Sequence, residues 1–192
     1  MNLPVTSRPS LNRRAFLGQV TALAAGAMLP LRSSAAPAVP GRPNSVIDGV
    51  RIGTISYSYR SALTSAEELL PALLTAGLSE VELMGPAIQA YAGMAIAPAG
   101  GKARQVAPVR YTDAQREAQL AKCHALRKLY NDAGVTIHIH KIAFGPSEEE
   151  VDFNFRVAKA LGCEGITTER AEATIKRLAP FAEKHRIRVG FH

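Results

Sequence analysis

The chain alternates between segments with the two-residue hydrophobic period of strands and segments with the 3.6-residue period of helices. The strand-like segments are 51–59, 80–84, 135–144, 164–168 and 187–192. The helix-like segments are 64–77, 112–132, 147–161 and 171–185, and the first three end next to a glycine. Residues 85–110, rich in Gly, Pro and Ala, show little periodicity and are predicted to be irregular. Regular strand–helix alternation is typical of a parallel sheet with crossover helices.

Two parallel architectures fit this alternation, and the end of the first strand separates them. An open doubly wound sheet favours a glycine-rich phosphate loop there, whereas this strand continues into Ser56-Tyr57-Ser58-Tyr59-Arg60. That favours a barrel of the TIM type. A complete barrel needs eight strand–helix units and about 250 residues. We therefore predict an α/β fold, a parallel (β/α) barrel truncated after its fifth strand.

The first 38 residues predict targeting rather than fold. Arg13 and Arg14 stand directly before an uncharged, Ala- and Leu-rich run, and Ala36-Pro37-Ala38 follows it. This is the pattern of a twin-arginine signal peptide, with cleavage expected after Ala38. An uncleaved anchor is the alternative, although the run is shorter than the roughly 20 residues of a spanning helix. The predicted organisation is a signal peptide at 1–38, a linker at 39–49 and a partial barrel at 50–192, in the periplasm or secreted.

Removal of a signal peptide on export would also lower the net positive charge of the protein. The whole chain has a net charge of +7, but four arginines and no acidic residue lie within 1–38, which leaves +3 for the remainder. A basic groove for nucleic acid is therefore not expected. The two cysteines, Cys123 and Cys163, lie in helical or helix-end patterns and are predicted to be small buried thiols; a disulfide and a metal site are the alternatives.

Alternation inside each strand separates a helix-facing side from a side that faces the barrel interior. The polar residues predicted to face the interior or its mouth are Tyr57, Glu82, His138, His140, Glu169 and His192. Because barrel active sites lie at the carboxyl-terminal ends of the strands, these side chains are expected to converge there. Such a set suits a divalent metal or acid–base chemistry on a polar substrate. Buried hydrogen bonding for the Glu and His side chains, and packing for the tyrosine, remain open as structural alternatives.

We assign candidate roles within this set. Glu82, His140 and Glu169 are the candidate catalytic residues. Tyr57, His138 and His192 are the candidate substrate-binding residues. His140 is expected nearest the mouth and His138 one layer deeper. Glu169 has an alternative role in the N-cap region of the following helix.

The order and spacing of five segments carry a resemblance to a known family. The segments are 51–60, 76–85, 134–140, 160–166 and 189–192. The chain resembles the xylose isomerase-like TIM barrels, which include sugar phosphate isomerases and epimerases. The resemblance implies an exported enzyme that moves a proton between adjacent carbons of a sugar or polyol with the help of a divalent metal.

The resemblance assigns no metal ligand to this chain. The family holds its metal mostly with two Glu, an Asp and a His from the second half of the barrel, so these ligands are expected beyond His192. The expected partners are a small sugar and the twin-arginine translocation machinery, with no nucleic acid; a homo-oligomer is left open. The alternative function is a non-catalytic exported binding or scaffold protein on a degenerate barrel.

Overall fold

The computed structural model describes residues 42–96, 110–170 and 172–191, and a parallel sheet dominates them. Five strands lie side by side in chain order: β3 (Gly53–Ile55), β4 (Glu80–Met84), β5 (Thr136–Lys141), β6 (Gly165–Thr168) and β7 (Arg188–Phe191). A short antiparallel hairpin, β1 (Val46–Ile47) and β2 (Val50–Arg51), precedes them. Its first strand and its turn lie at the end of the predicted linker, so that part of the linker has structure of its own, whereas β2 lies at the start of the predicted barrel segment.

Five helices accompany the sheet within the described residues. They are α1 (Ala66–Thr75), α2 (Gly85–Ala92), α3 (Asp113–Asp132), α4 (Glu148–Leu161) and α5 (Glu172–His185). Two of them begin with a capping box, in which Ser65 pairs with Glu68 and Thr112 pairs with Gln115. These reciprocal bonds satisfy backbone N–H groups that the first turn of a helix leaves unpaired. The helix starts therefore follow from the local sequence.

One face of the sheet forms the core with the helices. Alternate strand residues Val81, Leu83, Ile137 and Ile166 are each at most 1% exposed. They belong to one hydrophobic cluster with buried residues of the helices, among them Leu73, Leu126, Phe155, Leu161 and Leu178. The prediction of an α/β fold is confirmed: the sheet and its flanking helices form part of a TIM barrel, and the barrel is not closed.

The structure differs from the predicted elements in two places near the first strands. The first strand ends at Ile55, and residues Ser56–Tyr59 form a 3₁₀ helix instead of continuing the strand. The segment after β4, predicted to be irregular, begins with helix α2. Pro86 stands in its first turn, and Gly93, with φ of 69°, ends it in the left-handed conformation. Eight residues are too few for helical periodicity to stand out in the sequence.

The predicted burial of both cysteines is confirmed. Cys123 and Cys163 are free and buried, and burial raises the pKa of each thiol to about 12. Their thiolates are therefore suppressed at neutral pH. No helix within residues 42–96, 110–170 and 172–191 has the length and apolar character needed to cross a membrane. The predicted signal peptide lies outside the described residues, and export remains a prediction.

Gly53 sets how closely β3 approaches β4, and its replacement by alanine is expected to destabilise the sheet. A Cβ atom at Gly53 would lie 2.8 Å from the backbone oxygen of Glu80, a contact that side-chain movement cannot relieve. We expect Gly53→Ala to lower the free energy of unfolding by about 2 kcal/mol, measured by chemical denaturation. Gly190→Ala is the matched control on β7, because its Cβ would meet only the Thr167 side chain, at 3.4 Å. Equal stability of the two variants would contradict this account.

Candidate active site

A β-bulge in β5 decides which side chains face the interior. Val81 pairs with Ile137, but the next residue of β4, Glu82, pairs with Ile139. His138 is therefore the extra residue on β5, and every residue after it changes face relative to an unbroken alternation. As a result, His140 and Lys141 exchange the sides that alternation predicts for them.

The expectation that His140 faces the interior is wrong. His140 lies level with Leu83 and Ile166, on the face that the helices cover, and is 1% exposed. Burial lowers the pKa of its ring to about 4. Among the described residues neither ring nitrogen has a hydrogen-bond partner. The imidazole is therefore neutral at pH 7 and away from the mouth, and we no longer place it among the groups that contact substrate.

Lys141 takes the interior position instead. It pairs with Met84 on one side and Thr167 on the other, at the carboxyl-terminal end of β5. Its ammonium nitrogen lies 2.7 Å from Oε1 of Glu169, which follows β6. Sequence reasoning missed Lys141 because nothing in the run of residues 135–141 indicates where the bulge falls.

Glu82 faces the interior, as predicted, since its neighbours Val81 and Leu83 are buried on the helix side. Thr167 donates a hydrogen bond from Oγ1 to Oε1 of Glu82 at 2.5 Å. Because β5 lies between β4 and β6, this bond reaches across a strand of the inner face. Glu82 and Thr167 are both partly buried there. The bond holds the carboxylate in a defined orientation.

His138 remains on the inner face but lies at its amino-terminal end, away from the mouth. Its Nδ1 atom is 3.9 Å from Oε2 of Glu80 and 3.7 Å from Oε1 of Glu164. Glu164 accepts two hydrogen bonds from Arg51, at 2.9 and 3.1 Å, and one from Arg188 at 3.0 Å. These contacts make a network of charges across the amino-terminal end of β4 to β7.

The pKa values of the two carboxyl groups in this network are shifted in opposite directions. Burial raises the pKa of Glu80, although Arg51 and His138 oppose the change. The hydrogen bonds from Arg51 lower the pKa of Glu164. Barrel chemistry takes place at the other end of the strands. We therefore interpret the network as structural, and His138 as part of it.

Tyr57 lies just beyond the carboxyl-terminal end of β3, in the 3₁₀ helix Ser56–Tyr59. Its side chain is 51% exposed, and the guanidinium carbon of Arg60 lies 4.3 Å from the centre of its ring. A cation over an aromatic face is a favourable contact. His192 lies outside the described residues. The structure thus brings Glu82 and Glu169 to the interior or mouth and leaves Tyr57 at its rim.

A cavity of about 250 Å³ lies along the inner face. It is lined by His138, Ile139, Glu164, Gly165, Ile166, Thr167, Arg188, Val189 and Gly190. A larger cleft of about 360 Å³ lies elsewhere, around Arg127, Asn131 and Gly162, and its lining contains no carboxylate or imidazole. Of these two, only the inner cavity joins polar groups of several strands. Its charged lining residues belong to the amino-terminal network, and it is not lined by Glu82, Lys141 or Glu169.

The described residues do not fit a divalent metal at this mouth. Residues 42–96, 110–170 and 172–191 contain no group of three or more His, Cys, Asp or Glu side chains arranged to hold one. The interior position next to Thr167 carries the ammonium of Lys141, which repels a cation. The divalent metal that the family resemblance implies remains a prediction.

Comparisons with known proteins bear on the fold. No protein-family model matches the chain, and no curated protein matches it. An uncharacterized protein from Parabacteroides distasonis has a similar structure, with a TM-score of 0.52 and 18% identity over 74% of this chain and 52% of its own. A protein described as the probable 3-DHS dehydratase AsbF, involved in petrobactin synthesis in Bacillus anthracis, has a TM-score of 0.48 and 13% identity over the same shares.

The chain spans about half the length of both solved structures. At this level of identity the likeness to the Parabacteroides distasonis protein shows the fold alone, in agreement with the partial barrel described above.

Proposed function

We propose that this chain is the substrate-binding part of an exported sugar isomerase- or epimerase-like protein, in which Glu82 transfers a proton between adjacent carbons. The observation that carries the proposal is the oriented Glu82 carboxylate on the inner face, bonded to Thr167 at 2.5 Å. The resemblance of five segments to xylose isomerase-like barrels supports the substrate class. A sugar or polyol offers the hydroxyl groups that polar interior residues bind.

The chemistry needs a base and a group that stabilises developing negative charge. A base removes the proton from the carbon next to a carbonyl, and the same group, now protonated, returns it to the neighbouring carbon on the same face while the hydroxyl proton moves to the former carbonyl oxygen. Inversion at a single carbon needs a second proton donor on the opposite face. Glu82 fills the first role in this proposal. Lys141 fills the second, because an ammonium fixed in a confined site stabilises an oxyanion more strongly than water does. Thr167 orients Glu82 and does not exchange protons with the substrate.

Two further candidates receive altered roles. Glu169 is bonded to Lys141 at 2.7 Å, so we assign it to the control of that charge rather than to proton transfer. Tyr57, at the rim, is proposed to contact the substrate through its exposed ring.

Exchange of substrate hydrogen with solvent tests the proposal. The full chain is incubated in D₂O with a panel of aldose–ketose pairs and epimers, and deuterium at the substrate carbons is followed by NMR. We expect exchange with at least one pair, and a rate about 100-fold lower in Glu82→Gln, because general-base catalysis contributes at least that factor. Glu80→Gln is the matched control, two residues earlier on the same strand and face but in the amino-terminal network. An unchanged rate in Glu82→Gln would refute the role of Glu82.

A non-catalytic exported binding protein is the second candidate. One observation favours it: Glu82 and Glu169 are both already engaged by neighbouring side chains. Saturable binding of a sugar without deuterium exchange would support this function over the first.

A further inference from the structure

Arg60 lies at the rim of the carboxyl-terminal mouth, and its charged group is held by Tyr57 without an acidic partner. Its guanidinium carbon lies 4.3 Å from the centre of the Tyr57 ring, and its Nη1 donates a hydrogen bond to the backbone oxygen of Tyr57 at 3.2 Å. No carboxylate pairs with Arg60 within residues 42–96, 110–170 and 172–191. A guanidinium has five N–H donors. The contact with Tyr57 therefore leaves four of them for a ligand or for water.

The position of Arg60 over the ring suits a group that binds anions. The attraction between a cation and an aromatic ring acts on the face of the ring. The N–H donors of a guanidinium lie in its own plane and form a fork that matches two oxygens of a carboxylate or a phosphate. The contact with Tyr57 thus restricts the side chain before a ligand arrives and leaves the fork unused. Because Arg60 is exposed, an incoming anion can reach it.

The backbone that carries Arg60 is anchored on both sides. Ser56, at the start of the 3₁₀ helix, is buried, and its Oγ accepts a hydrogen bond from the backbone N–H of Met84 at 3.0 Å. On the other side, the backbone N–H of Leu63 bonds the backbone oxygen of Tyr59 at 2.8 Å, and both of these side chains pack against the core cluster. The main chain at Arg60 is therefore defined, so less conformational entropy is lost when its side chain binds a ligand.

The same segment lies next to the proposed catalytic carboxylate. Ile55 is the register partner of Glu82, and Ser56 follows it directly. Met84, which bonds Ser56, is two residues after Glu82 on β4. Arg60 and Glu82 therefore belong to the same end of the sheet and to neighbouring strand–helix units. A substrate whose reacting carbons lie at Glu82 can extend toward this rim.

We infer that Arg60 binds an anionic group of the substrate, a phosphate or a carboxylate, at the rim of the mouth. The inference rests on the proposed function, since it places the reacting carbons of the same substrate at Glu82. It adds a negative charge to the substrate class, which proton transfer does not itself require. Arg60 covers one face of the Tyr57 ring, so the other face and the hydroxyl remain for the sugar. Lys141 keeps its role at the developing oxyanion.

Other arginines show what distinguishes Arg60. Four of them pair with carboxylates in the described part of the chain: Arg51 and Arg188 with Glu164, Arg116 with Glu149, and Arg156 with Glu117. An anionic ligand would have to displace those carboxylates. Arg127 is exposed and has no carboxylate partner among the described residues, but it lies on α3 beside the start of β5, at the other end of the sheet. It is therefore the matched control for an unpaired arginine away from the mouth.

Calorimetric titration of the full chain tests the inference with glucose, gluconate, glucose 6-phosphate and inorganic phosphate. We expect gluconate or glucose 6-phosphate to bind at least about 10-fold more tightly than glucose, the factor that one charge-assisted hydrogen bond supplies. Arg60→Met should weaken binding of that anion at least about 10-fold and leave binding of glucose unchanged. Arg60→Lys should keep only part of the preference, because an ammonium lacks the fork. Arg127→Met should change neither affinity.

Replacement of Tyr57 tests whether the ring prepares Arg60 for the anion. Tyr57→Leu removes the face on which the guanidinium lies, so the side chain of Arg60 has more freedom to lose on binding. We expect this variant to lower the ratio of the affinities for the anionic sugar and for glucose. A ratio equal to that of the parent would show that Arg60 binds the anion without help from the ring, and would overturn this part of the inference.

The probes also identify the bound group. Gluconate and glucose 6-phosphate distinguish a carboxylate from a phosphate, and inorganic phosphate should bind more weakly than the anionic sugar because it lacks the part held at Glu82. Equal affinity for glucose and both anions, binding of neither anion, or unchanged affinity in Arg60→Met would overturn the inference. Thermal melts of each variant separate loss of binding from loss of folding.

The inference and the proposed function fail in different ways. If glucose undergoes Glu82-dependent exchange and the chain shows no preference for anions, only the role of Arg60 is wrong. If anionic sugars bind through Arg60 and no sugar exchanges deuterium, only the proton-transfer proposal is wrong.

Discussion

The free energy of unfolding is expected to fall by about 3 kcal/mol as the pH decreases from 6.5 to 4, because of one buried histidine. The pKa of His140 is lowered from 6.5 to about 4 in the folded protein by burial. Between these values the unfolded chain binds a proton that the folded protein excludes. Acid therefore favours unfolding in this window, and above pH 6.5 this protonation takes nothing from the stability of the folded state.

Replacement of His140 by leucine isolates this effect. His140 lies between Leu83 and Ile166 in the pairing of β4, β5 and β6, so an apolar side chain of similar size suits the site. At pH 7 we expect His140→Leu to be about 1–3 kcal/mol more stable, because the buried ring nitrogens have no hydrogen-bond partner among the described residues. Between pH 6.5 and pH 4 the variant should lose much less stability than the parent.

Urea unfolding followed by circular dichroism at intervals of half a pH unit measures both effects. Glu80, Asp152 and Glu164 also have altered pKa values, and they contribute equally to parent and variant. His124→Gln is the control, since His124 is exposed on α3, and it should follow the parent curve. If parent and His140→Leu show the same slope with pH, the ring titrates normally and the burial of His140 is not as described.

The second large effect is expected from Phe155, whose replacement by alanine should lower the free energy of unfolding by about 3–5 kcal/mol. Phe155 on α4 is 0% exposed. Its ring stacks on Phe144, Phe181 and His185, with centroids 5.8, 6.2 and 5.5 Å away. Loss of the ring leaves a cavity and removes aromatic contacts worth about 0.5–1.5 kcal/mol each.

The same substitution should loosen the contact between α4 and α5. His185 bonds Asp152 through Nε2 at 2.7 Å while its ring stacks on Phe155. We expect Phe155→Leu to cost less than half as much as Phe155→Ala, because most of the apolar volume remains. Leu74→Ala, at a position 38% exposed on α1, is the control and should change stability by less than about 1 kcal/mol. Chemical denaturation of the three variants makes the comparison, and equal losses for Phe155→Ala and Leu74→Ala would contradict the described core.

The sequence by itself determined the class of fold, because hydrophobic period and helix capping are local properties. Val81 and Leu83 alternate with Glu82 within one strand, and this alternation correctly predicted an interior carboxylate. The capping residues Ser65 and Thr112 lie within three positions of their partners, so the starts of these two helices could also be predicted from the sequence. Helix α2 could not be predicted in this way, since its eight residues show too little hydrophobic periodicity to outweigh the Gly and Pro residues at its ends.

Only the tertiary structure decided which residues share the mouth. The bulge at His138 arises from the register between β4 and β5, a property of two strands that no pattern within one strand reveals. It exchanged His140 for Lys141 on the inner face and moved the histidine into the core. The partner of Glu82, Thr167, lies 85 residues away in the chain, and the sheet brings the two together. Local periodicity predicts which residues are apolar neighbours of helices, whereas pairing between strands decides which polar groups meet.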